Sequence, residues 1–598
     1  MPQHPKFVNY PEPLKGPDIP YKNEPRPNNP VLRGIVLVIA AFLMEWFRFL
    51  REAIWKNTGF GNLRNIAEYI VEYEPWFEPQ VVPLPDAKEE AVVSQNLEPD
   101  EGKSDPLDFY PEAKYYSVND YRQLFLSGTI TPTDVAEALL PLIRRDIANS
   151  SEHSEAWFEV QADKVLAQAK ESTLRYKENR SLGPLDGVPT GVKDEYDMEG
   201  YRTCLGSRNT YTSSEDNHTS WCVQQLQAAG AVILGKLSMH EFGLDTTGNN
   251  PVYGTPRNPH NPNYYTGGSS SGTGYAVSAG LIPIGLGSDG GGSIRIPSGL
   301  CGVYGLKPTH GRLSFRPGPN HCITCACLGP IAADISSLAT LLQTISMPHS
   351  SSPFPPLTLS LSPSTPTSKV LGIPSAWISR ATPAIQVLLN NLIRTLVLKH
   401  GYSTVDISIP FLKEGQLAHA MTVLTDAATL LPETKNLTPA NRILLALGRV
   451  TPSTDYILAQ KLRRLLMQHL SYLWSQHPGM IIITPVTACE GLPIKSKSEL
   501  KYGINDGDRT MQSMEYVWLA NFCGLPSLSL PMGFVQAKGG DVPVGLMATG
   551  EWCSEEGLLR FGKEVESVVE GDSTKRRRPG RWVDVVERAR GVRVSRGE

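Results

Sequence analysis

The chain has 598 residues, a formal net charge of −4, and 40% hydrophobic and 19% charged residues. This composition is typical of globular proteins and excludes a wholly disordered chain, and the near-neutral charge argues against nucleic acid as the main partner. The nine scattered cysteines, an odd number, argue against a disulfide framework and indicate reduced thiols in an intracellular protein.

The first 110 residues differ in composition from the rest. Residues 1–30 are rich in Pro and Asn and predict an extended arm, residues 31–80 predict one or two helices, and residues 85–106 predict an acidic linker. An apolar run of eleven uncharged residues at 34–44 begins too late for a secretory signal. It is also too short to cross a membrane, which takes about 20 residues.

That apolar run therefore predicts an amphipathic helix with one of two uses. The helix either docks on its own protein or lies on a membrane surface. In the first case it packs on the chain or is covered by a second protomer of a homodimer. We expect a cytoplasmic protein that has at most a peripheral membrane contact.

Helices and short strands alternate from about Tyr115 onward. The predicted helices are 117–145 (a capped pair), 156–176, 219–229 and 383–400, and the predicted strands are 231–235, 403–409 and 481–486. This alternation favours an α/β fold with a largely buried sheet.

Three further stretches have distinctive compositions. Residues 348–368 are rich in Ser and Pro and predict a surface connection. Residues 410–478 predict helices whose leucines line either an acyl pocket or ordinary core, and core is the commoner fate of such residues; they are Leu424, Leu430, Leu431 and the leucines of 444–447. The last 29 residues are basic, and a solvated tail is favoured over a nuclear address.

Several short motifs do not carry function. GLGSDG (285–290) matches a dinucleotide fingerprint but does not open a helix, and GSSSG (268–272) matches a nucleophile elbow but follows loop residues rather than a strand. Cys322, Cys325 and Cys327 are closely spaced, but no second ligand pair follows at zinc-finger distance. We therefore expect no metal.

Three segments do carry chemistry when they are taken together. They are GPLDGVPTGVKDEYD (183–197), TGGSSSGTGYAVSAG (266–280) and GLGSDGGGSIRIPSG (285–299). With GLKPTHGRLS (305–314) they resemble the amidase signature family of serine hydrolases, which includes fungal amidases and fatty acid amide hydrolase-like enzymes. The resemblance covers about residues 115–563.

The resemblance implies an α/β amidase-signature fold, with a mixed central β-sheet covered by helices on both faces. It places the catalytic domain at residues 111–566, with a variable helical substrate region at 410–478. The N-terminal arm, helix and linker would then occupy residues 1–110, and the basic tail residues 567–598.

The resemblance also implies the roles of individual residues. Ser293 is the nucleophile, Ser269 is a bridging serine after a cis peptide bond, and Lys193 is the base. The oxyanion donors are the amides of Gly290, Gly291, Gly292 and Ser293, and the wider substrate-binding set adds Met239 and Ser270. Asp289 and Arg295 are expected to brace the loop.

This chemistry agrees with the residue types. A serine hydroxyl is a weak nucleophile and needs a base, and a lysine is a base only when it is neutral. Lys193 follows the uncharged run VPTGV, and burial there would lower the pKa of its amine. The neighbouring Asp194 points to the opposite face of a strand and need not neutralise the base.

The sequence therefore predicts an amidase that acts through an acyl-enzyme on Ser293 and needs no cofactor. The alternative is one chain of an ammonia-transferring amidotransferase complex, which would require a partner chain. A catalytically dead binding protein is disfavoured because Lys193, Ser269 and Ser293 are all present. The substrate stays open among fatty, short aliphatic, aryl and pathway-specific amides.

Overall fold

The computed structural model describes residues 6–23, 29–84, 114–212, 218–318, 320–361, 368–431 and 434–597. The predicted acidic linker at 85–106 lies outside these ranges, as do parts of the predicted arm and of the Ser/Pro-rich connection.

The described strands are β1 (Phe7–Val8), β2 (Leu32–Arg33), β3 (Val82–Pro83), β4 (Trp157–Glu159), β5 (Pro189–Lys193), β6 (Val232–Leu237), β7 (Ile284–Asp289), β8 (Tyr304–Lys307), β9 (Cys327–Ala332), β10 (Val370–Ile373), β11 (Ser403–Asp406), β12 (Ile481–Pro485), β13 (Ile504–Asn505), β14 (Ser527–Ala537) and β15 (Gly540–Thr549).

The described α-helices are α1 (Gly34–Trp46), α2 (Arg48–Asn57), α3 (Ala67–Ile70), α4 (Val118–Leu126), α5 (Pro132–Ile143), α6 (Ala162–Lys177), α7 (Trp221–Ala228), α8 (Ser271–Ser278), α9 (Arg295–Cys301), α10 (Ile335–Ile345), α11 (Ser375–Ile378), α12 (Pro383–His400), α13 (Leu412–Leu430), α14 (Pro439–Arg449), α15 (Ser453–Gln476), α16 (Lys497–Tyr502), α17 (Gly507–Ser513), α18 (Trp518–Phe522), α19 (Glu555–Val569) and α20 (Val585–Ser595).

A large mixed sheet organises the molecule. Eleven strands pair in the order β11-β10-β12-β15-β14-β8-β9-β7-β5-β6-β4. β5 is parallel to both β6 and β7, whereas β7, β9, β8, β14 and β15 pair antiparallel in succession. Helices flank this sheet, and the predicted α/β class with a mixed sheet is confirmed.

The strands at the middle of the sheet are buried throughout. Every residue of β5, β6, β7, β8 and β9 is buried. Strands that are buried on both faces tend to consist of continuous apolar and small residues rather than an alternating pattern, as CLGPIA in β9 illustrates. Because β5 and β7 are parallel neighbours, their carboxyl ends meet at one edge of the sheet.

The predicted helix pair at 117–145 is present as α4 and α5. Ser117 and Thr131 each cap a helix and form a reciprocal capping box with the residue three positions later. The predicted helix at 156–176 starts too early, because residues 157–159 form β4 and the helix begins at Ala162. Trp157 is fully buried and pairs with β6, and this tertiary contact overrides the helical pattern.

The N-terminal apolar run forms α1, and one face of it docks on the protein. Leu37, Ala41 and Met44 are buried where α1 packs against α14 and α16, and Glu45 pairs with Arg442 of α14. The opposite face is apolar and exposed, so the prediction of an amphipathic helix is wrong for α1, which is apolar on both faces. Within the described ranges, no helix is both long enough and apolar enough to cross a membrane.

The interpretation of the C-terminal residues as a solvated tail is wrong for the part that the structure describes. Arg576 is only 3% exposed, and its guanidinium stacks over the rings of Tyr115 and Tyr304 at 4.3 and 4.7 Å. Helix α20 packs against α5, and the guanidinium of Arg596 pairs with the carboxylate of Asp134. These cation–π contacts and ion pairs hold the segment against the rest of the protein, so it is not a solvated tail.

Candidate active site

Lys193 is the last residue of β5 and is fully buried. Its Nζ lies 2.7 Å from Ser269 Oγ and 2.6 Å from Ser288 Oγ. Ser288 is the penultimate residue of β7, the parallel neighbour of β5, and Ser269 lies just before α8. The sheet edge thus brings together the predicted base and the predicted bridging serine, 76 residues apart in sequence.

The segment before α8 is closely packed. The Gly268–Ser269 peptide bond is cis, as the resemblance implies. A side chain at Gly268 would have no room, because an added Cβ would lie 2.5 Å from the amide nitrogen of Gly248. The carbonyl of Ser269 accepts a hydrogen bond from the amide of His240 at 3.1 Å, which fixes the serine against the loop after β6.

Asp194 does not contact the predicted base. Its carboxylate lies 3.3 Å from Lys236 Nζ and accepts hydrogen bonds from the amides of Cys204 and Gly206 at 3.2 and 3.0 Å. These contacts agree with the prediction that Asp194 points away from Lys193.

Glu195 is a site residue that the sequence reasoning missed. Its Oε2 lies 3.2 Å from Lys193 Nζ and accepts a hydrogen bond from the Ser288 hydroxyl. Strand periodicity could not have found it, because β5 ends at Lys193 and the chain turns there. The amides of Glu195 and Tyr196 both donate to the Lys193 carbonyl.

Burial lowers the pKa of the Lys193 amine below its usual value, and the Glu195 carboxylate opposes that shift. Burial alone would raise the pKa of Glu195, but protonated Lys193 and the Ser288 hydroxyl outweigh it and lower that pKa. Burial therefore disfavours the charged form of both groups, whereas the charge on each group favours the charged form of the other.

Ser293 lies between the glycine-rich loop and α9 and is 7% exposed. Its carbonyl accepts from the amide of Ser270 at 3.1 Å. Gly292 has φ +104°, and an added Cβ would lie 2.6 Å from a methyl carbon of Val517. Only glycine fits this position, because the conformation is left-handed and the space is filled.

Asp289 and Arg295 contact each other, and Asp289 also contacts the loop. The two side chains are fully buried and form a two-pronged ion pair with distances of 2.9 and 3.0 Å. Asp289 also accepts from the amides of Gly292 and Ile294 at 2.7 and 3.0 Å. Burial alone would raise the pKa of Asp289, but Arg295 outweighs it and holds the pKa well below its usual range.

Two more loop supports were not predicted. Asn521 accepts from Arg295 Nη2 at 2.6 Å and donates to the Asp289 carbonyl at 2.7 Å, so it holds both partners of the ion pair. His419 of α13 is buried, and its Nε2 lies 2.8 Å from the carbonyl oxygen of Gly290. Its ring would also lie 3.1 Å from a Cβ placed on Gly291, so it packs directly on the loop.

A cavity of about 460 Å³ opens at this site. Its wall includes Ser269, Ser293, Gly290 and Gly291, together with Glu195 and two buried histidines, His240 and His321. Burial lowers the pKa of both histidines, so both are neutral at neutral pH.

Most of the wall surface is apolar, although charged side chains, among them Lys22, Asp245 and Asp506, also line the cavity. The N-terminal segment contributes Met44, Ile54 and Phe60, and α13 and α14 contribute further apolar side chains, among them Leu424, Leu444 and Leu447. Leu424 and Leu447 are also buried members of the hydrophobic core and Leu444 packs against it, so these leucines fit both expectations. Leu430 is 47% exposed.

Not every predicted site residue reaches the cavity. The described residues that line the cavity do not include Met239, Ser270 or Gly292. The carbonyl of Met239 accepts from Asn250 Nδ2 at 2.8 Å, and the Ser270 hydroxyl donates to the Ser288 carbonyl at 3.2 Å. In the ranges that the structure describes, no cluster of three His, Cys, Asp or Glu side chains is placed to hold a metal ion.

Comparisons with known proteins agree with this geometry. A family model described as Amidase matches residues 137–559. A fatty acid amide hydrolase from Medicago truncatula is 32% identical over 551 residues, which covers 86% of this chain and 88% of that protein. One of the subunits of the glutamyl-tRNA(Gln) amidotransferase from Chloroflexus aurantiacus is 29% identical and covers 77% of this chain and 98% of its own. A solved amidase structure matches with a TM-score of 0.65 at 25% identity over 76% of this chain and all of its own.

Proposed function

The chain belongs to the amidase family and is an amide-hydrolysing enzyme, and on this premise we propose that it cleaves amides of long apolar acyl groups through an acyl-enzyme on Ser293. The observation that carries the proposal is the cavity, whose wall holds Ser269 and Ser293 together with apolar side chains of the N-terminal segment, α13 and α14. Polar groups at the serines and a wall surface that is mostly apolar fit an amide group that is attached to a hydrocarbon chain.

Acylation begins with proton transfer along the serines. Ser293 Oγ attacks the amide carbonyl carbon while its proton passes to Ser269 Oγ, and the proton of Ser269 passes to neutral Lys193. The contact of 2.7 Å between Lys193 Nζ and Ser269 Oγ supports this route. The C–N bond then breaks, and Lys193 returns the proton through Ser269 to the leaving nitrogen, because an unprotonated amine leaves poorly. Water attacks the acyl-enzyme by the same proton path.

The glycine loop supplies donors for the oxyanion. The amide of Gly292 already donates to Asp289 at 2.7 Å. The amides that we expect to donate hydrogen bonds to the oxyanion are therefore those of Gly290, Gly291 and Ser293.

The fatty acid amide hydrolase from Medicago truncatula supports the substrate class, since it aligns with 86% of this chain. The amidotransferase chain from Chloroflexus aurantiacus aligns with 77% of this chain, although nearly all of its own length is matched. Part of this chain therefore has no counterpart in that relative, and the amidotransferase role stays the second candidate.

Labelling with a fluorophosphonate and a panel of amides of increasing acyl length tests the proposal. Ser293→Ala should abolish labelling and turnover, and mass spectrometry should map the wild-type adduct to Ser293. An adduct on Ser270 would contradict the assignment. Lys193→Ala should lower kcat by about 10²-fold or more and remove the acid limb of the pH profile. Turnover of glutamine, but not of apolar amides, would favour the amidotransferase role.

The outer face of α1 supports a peripheral membrane contact. Its exposed apolar side chains are Ile35, Val36, Ile39, Phe42, Leu43 and Trp46. The same helix contributes Met44 to the cavity wall, so a lipid surface under α1 would lie beside the route of an apolar substrate. Co-sedimentation with anionic vesicles should capture the wild type, and Phe42→Ser/Trp46→Ser should release it in active form. Light scattering that shows a dimer of the wild type and a monomer of this variant would instead assign the face to a second protomer.

A further inference from the structure

We propose that Glu195 is a positioning residue for the reaction, because its carboxylate stabilises the ammonium that forms on Lys193 during proton transfer. This inference rests on the roles proposed above for Lys193, Ser269 and Ser293. It extends the proton path by one charged group, which acts through Lys193.

Two contacts join the carboxylate to the base. Glu195 Oε2 lies 3.2 Å from Lys193 Nζ, and the same oxygen accepts from the hydroxyl of Ser288. Ser288 Oγ lies 2.6 Å from Lys193 Nζ. Lys193 is thus held between Ser269 on one side and the Ser288–Glu195 pair on the other, and its position is defined by three side chains.

The charges change during acylation in a way that requires a partner for the base. In the starting state Lys193 is neutral. When the bond from Ser293 Oγ to the carbonyl carbon forms, one proton has moved from Ser293 to Ser269 and one from Ser269 to Lys193. The site then holds an oxyanion and a fully buried ammonium. A buried ammonium without a counter-charge is strongly disfavoured.

Glu195 supplies that counter-charge mainly when it is needed. The attraction between the carboxylate and Lys193 is largest after Lys193 gains its proton, so it favours the transition state more than the starting state. A carboxylate that stabilises the protonated base plays the same part in Ser-His-Asp enzymes.

Asp194, the acidic neighbour of Glu195 in the sequence, pairs with a different lysine. Asp194 is fully buried against Lys236 at 3.3 Å and is held by two backbone amides. Its charge is therefore balanced on the far side of the strand end from Lys193.

The other ionisable groups around Lys193 are also accounted for. Asp289 is paired with Arg295. His240 and His321 face the same region, and burial lowers the pKa of each, so both are neutral at neutral pH. Glu195 remains as the carboxylate in direct contact with the amine.

The test is the pH profile of kcat/KM for Glu195→Gln with an apolar amide and with a fluorophosphonate. Glutamine keeps the size and one acceptor but removes the charge. The acid limb, which reports protonation of Lys193, should move to lower pH by about 1 unit or more, since an opposite charge at this distance raises an amine pKa by that amount. The rate above the limb should fall by about tenfold or more. The ratio of variant to wild-type rates should therefore rise as pH falls.

Glu555→Gln is the matched control. Glu555 is also a fully buried carboxylate, 3.2 Å from Arg312, and lies outside the cavity wall that the structure describes. Structural damage alone should lower the rate equally at every pH in this variant. A parallel loss in Glu195→Gln would overturn the inference.

Two further variants keep the result decisive. Ser288→Ala removes one of the two links, and it should shift the limb in the same direction by less; this variant replaces Glu195→Gln if the latter does not fold. In a Lys193→Ala background, Glu195→Gln should have no further effect on the residual rate. An active Lys193→Ala enzyme with an unchanged profile would refute the proposed function itself. A slow Lys193→Ala enzyme with an unshifted Glu195→Gln limb would refute this inference alone.

Discussion

Asp289→Asn should destabilise the protein strongly, although it changes a single atom. The two carboxylate oxygens of Asp289 divide the donors between them. Oδ1 accepts from the Gly292 amide and Arg295 Nη2, and Oδ2 accepts from the Ile294 amide and from the amide and Nε of Arg295. An asparagine NH₂ in either place faces at least two donors and cannot accept from them.

The magnitude follows from burial. Both side chains are 0% exposed, so the variant leaves the Arg295 charge buried without its partner. Breaking a buried ion pair in this way costs about 3–5 kcal/mol. Labelling of Ser293 by a fluorophosphonate should fall with it, because one amide of the loop, that of Gly292 or that of Ile294, loses its acceptor.

Urea unfolding followed by tryptophan fluorescence measures the loss in the free energy of unfolding. The dependence of this free energy on urea concentration should stay unchanged, which checks that the denatured states are comparable. The control is Glu52→Gln, which breaks an exposed pair with Arg48 (46% and 80% exposed) and should change stability by less than about 0.5 kcal/mol. The double variant Asp289→Asn/Arg295→Met should recover part of the loss, since no lone charge remains. A loss below about 1 kcal/mol in Asp289→Asn would refute the view that this pair holds the loop.

Three other perturbations follow from the site and its surroundings. His419→Ala should lower kcat by about tenfold or more with little change in KM, because the Gly290 carbonyl loses its donor at 2.8 Å; an unchanged kcat would refute a role for this contact. Leu444→Trp should fill the apolar part of the cavity, so kcat/KM should fall for long acyl chains and not for short ones, and a uniform fall would place Leu444 outside the acyl path. Burial raises the pKa of Glu241 to about 7 in the folded protein. In the unfolded chain this carboxyl already ionises near pH 4.5, so the contribution of Glu241 to wild-type stability falls as pH rises from about 4.5 to about 7. Urea unfolding at pH 5 and pH 8 should show that the stability of Glu241→Gln relative to the wild type is higher at pH 8, by about 3 kcal/mol at most. A stability difference that is the same at both pH values would contradict this.

Local patterns predicted much of the fold. The capped starts of α4 and α5, the long helices of 412–476 and the alternation of helices and strands all depend on neighbours in sequence. The resemblance to the amidase family is confirmed over residues 137–559. The roles of Lys193, Ser269 and Ser293 stay predictions, and the structure places Lys193 and Ser269 in contact.

The residues that were missed act across long sequence separations. Asn521 lies 226 residues from Arg295, and His419 lies 129 residues from Gly290. No local spacing marks such contacts, because they depend on how helices pack around the sheet edge. Helix α1 shows a different reason: its apolar residues surround the helix, so the sequence offered docking or exposure as alternatives, whereas the structure buries one face and exposes the other.

The cavity wall and the proton path are formed by different parts of the chain. Met44, Ile54 and Phe60 of the N-terminal segment form part of the wall, whereas Lys193 and Ser288 belong to the sheet edge. Substitutions in the N-terminal segment would therefore change which amides enter without disturbing the proton path. During divergence of such enzymes, substrate range can drift in this segment while the chemistry stays fixed. A library of variants restricted to the N-terminal wall is accordingly an economical route to new amide specificities.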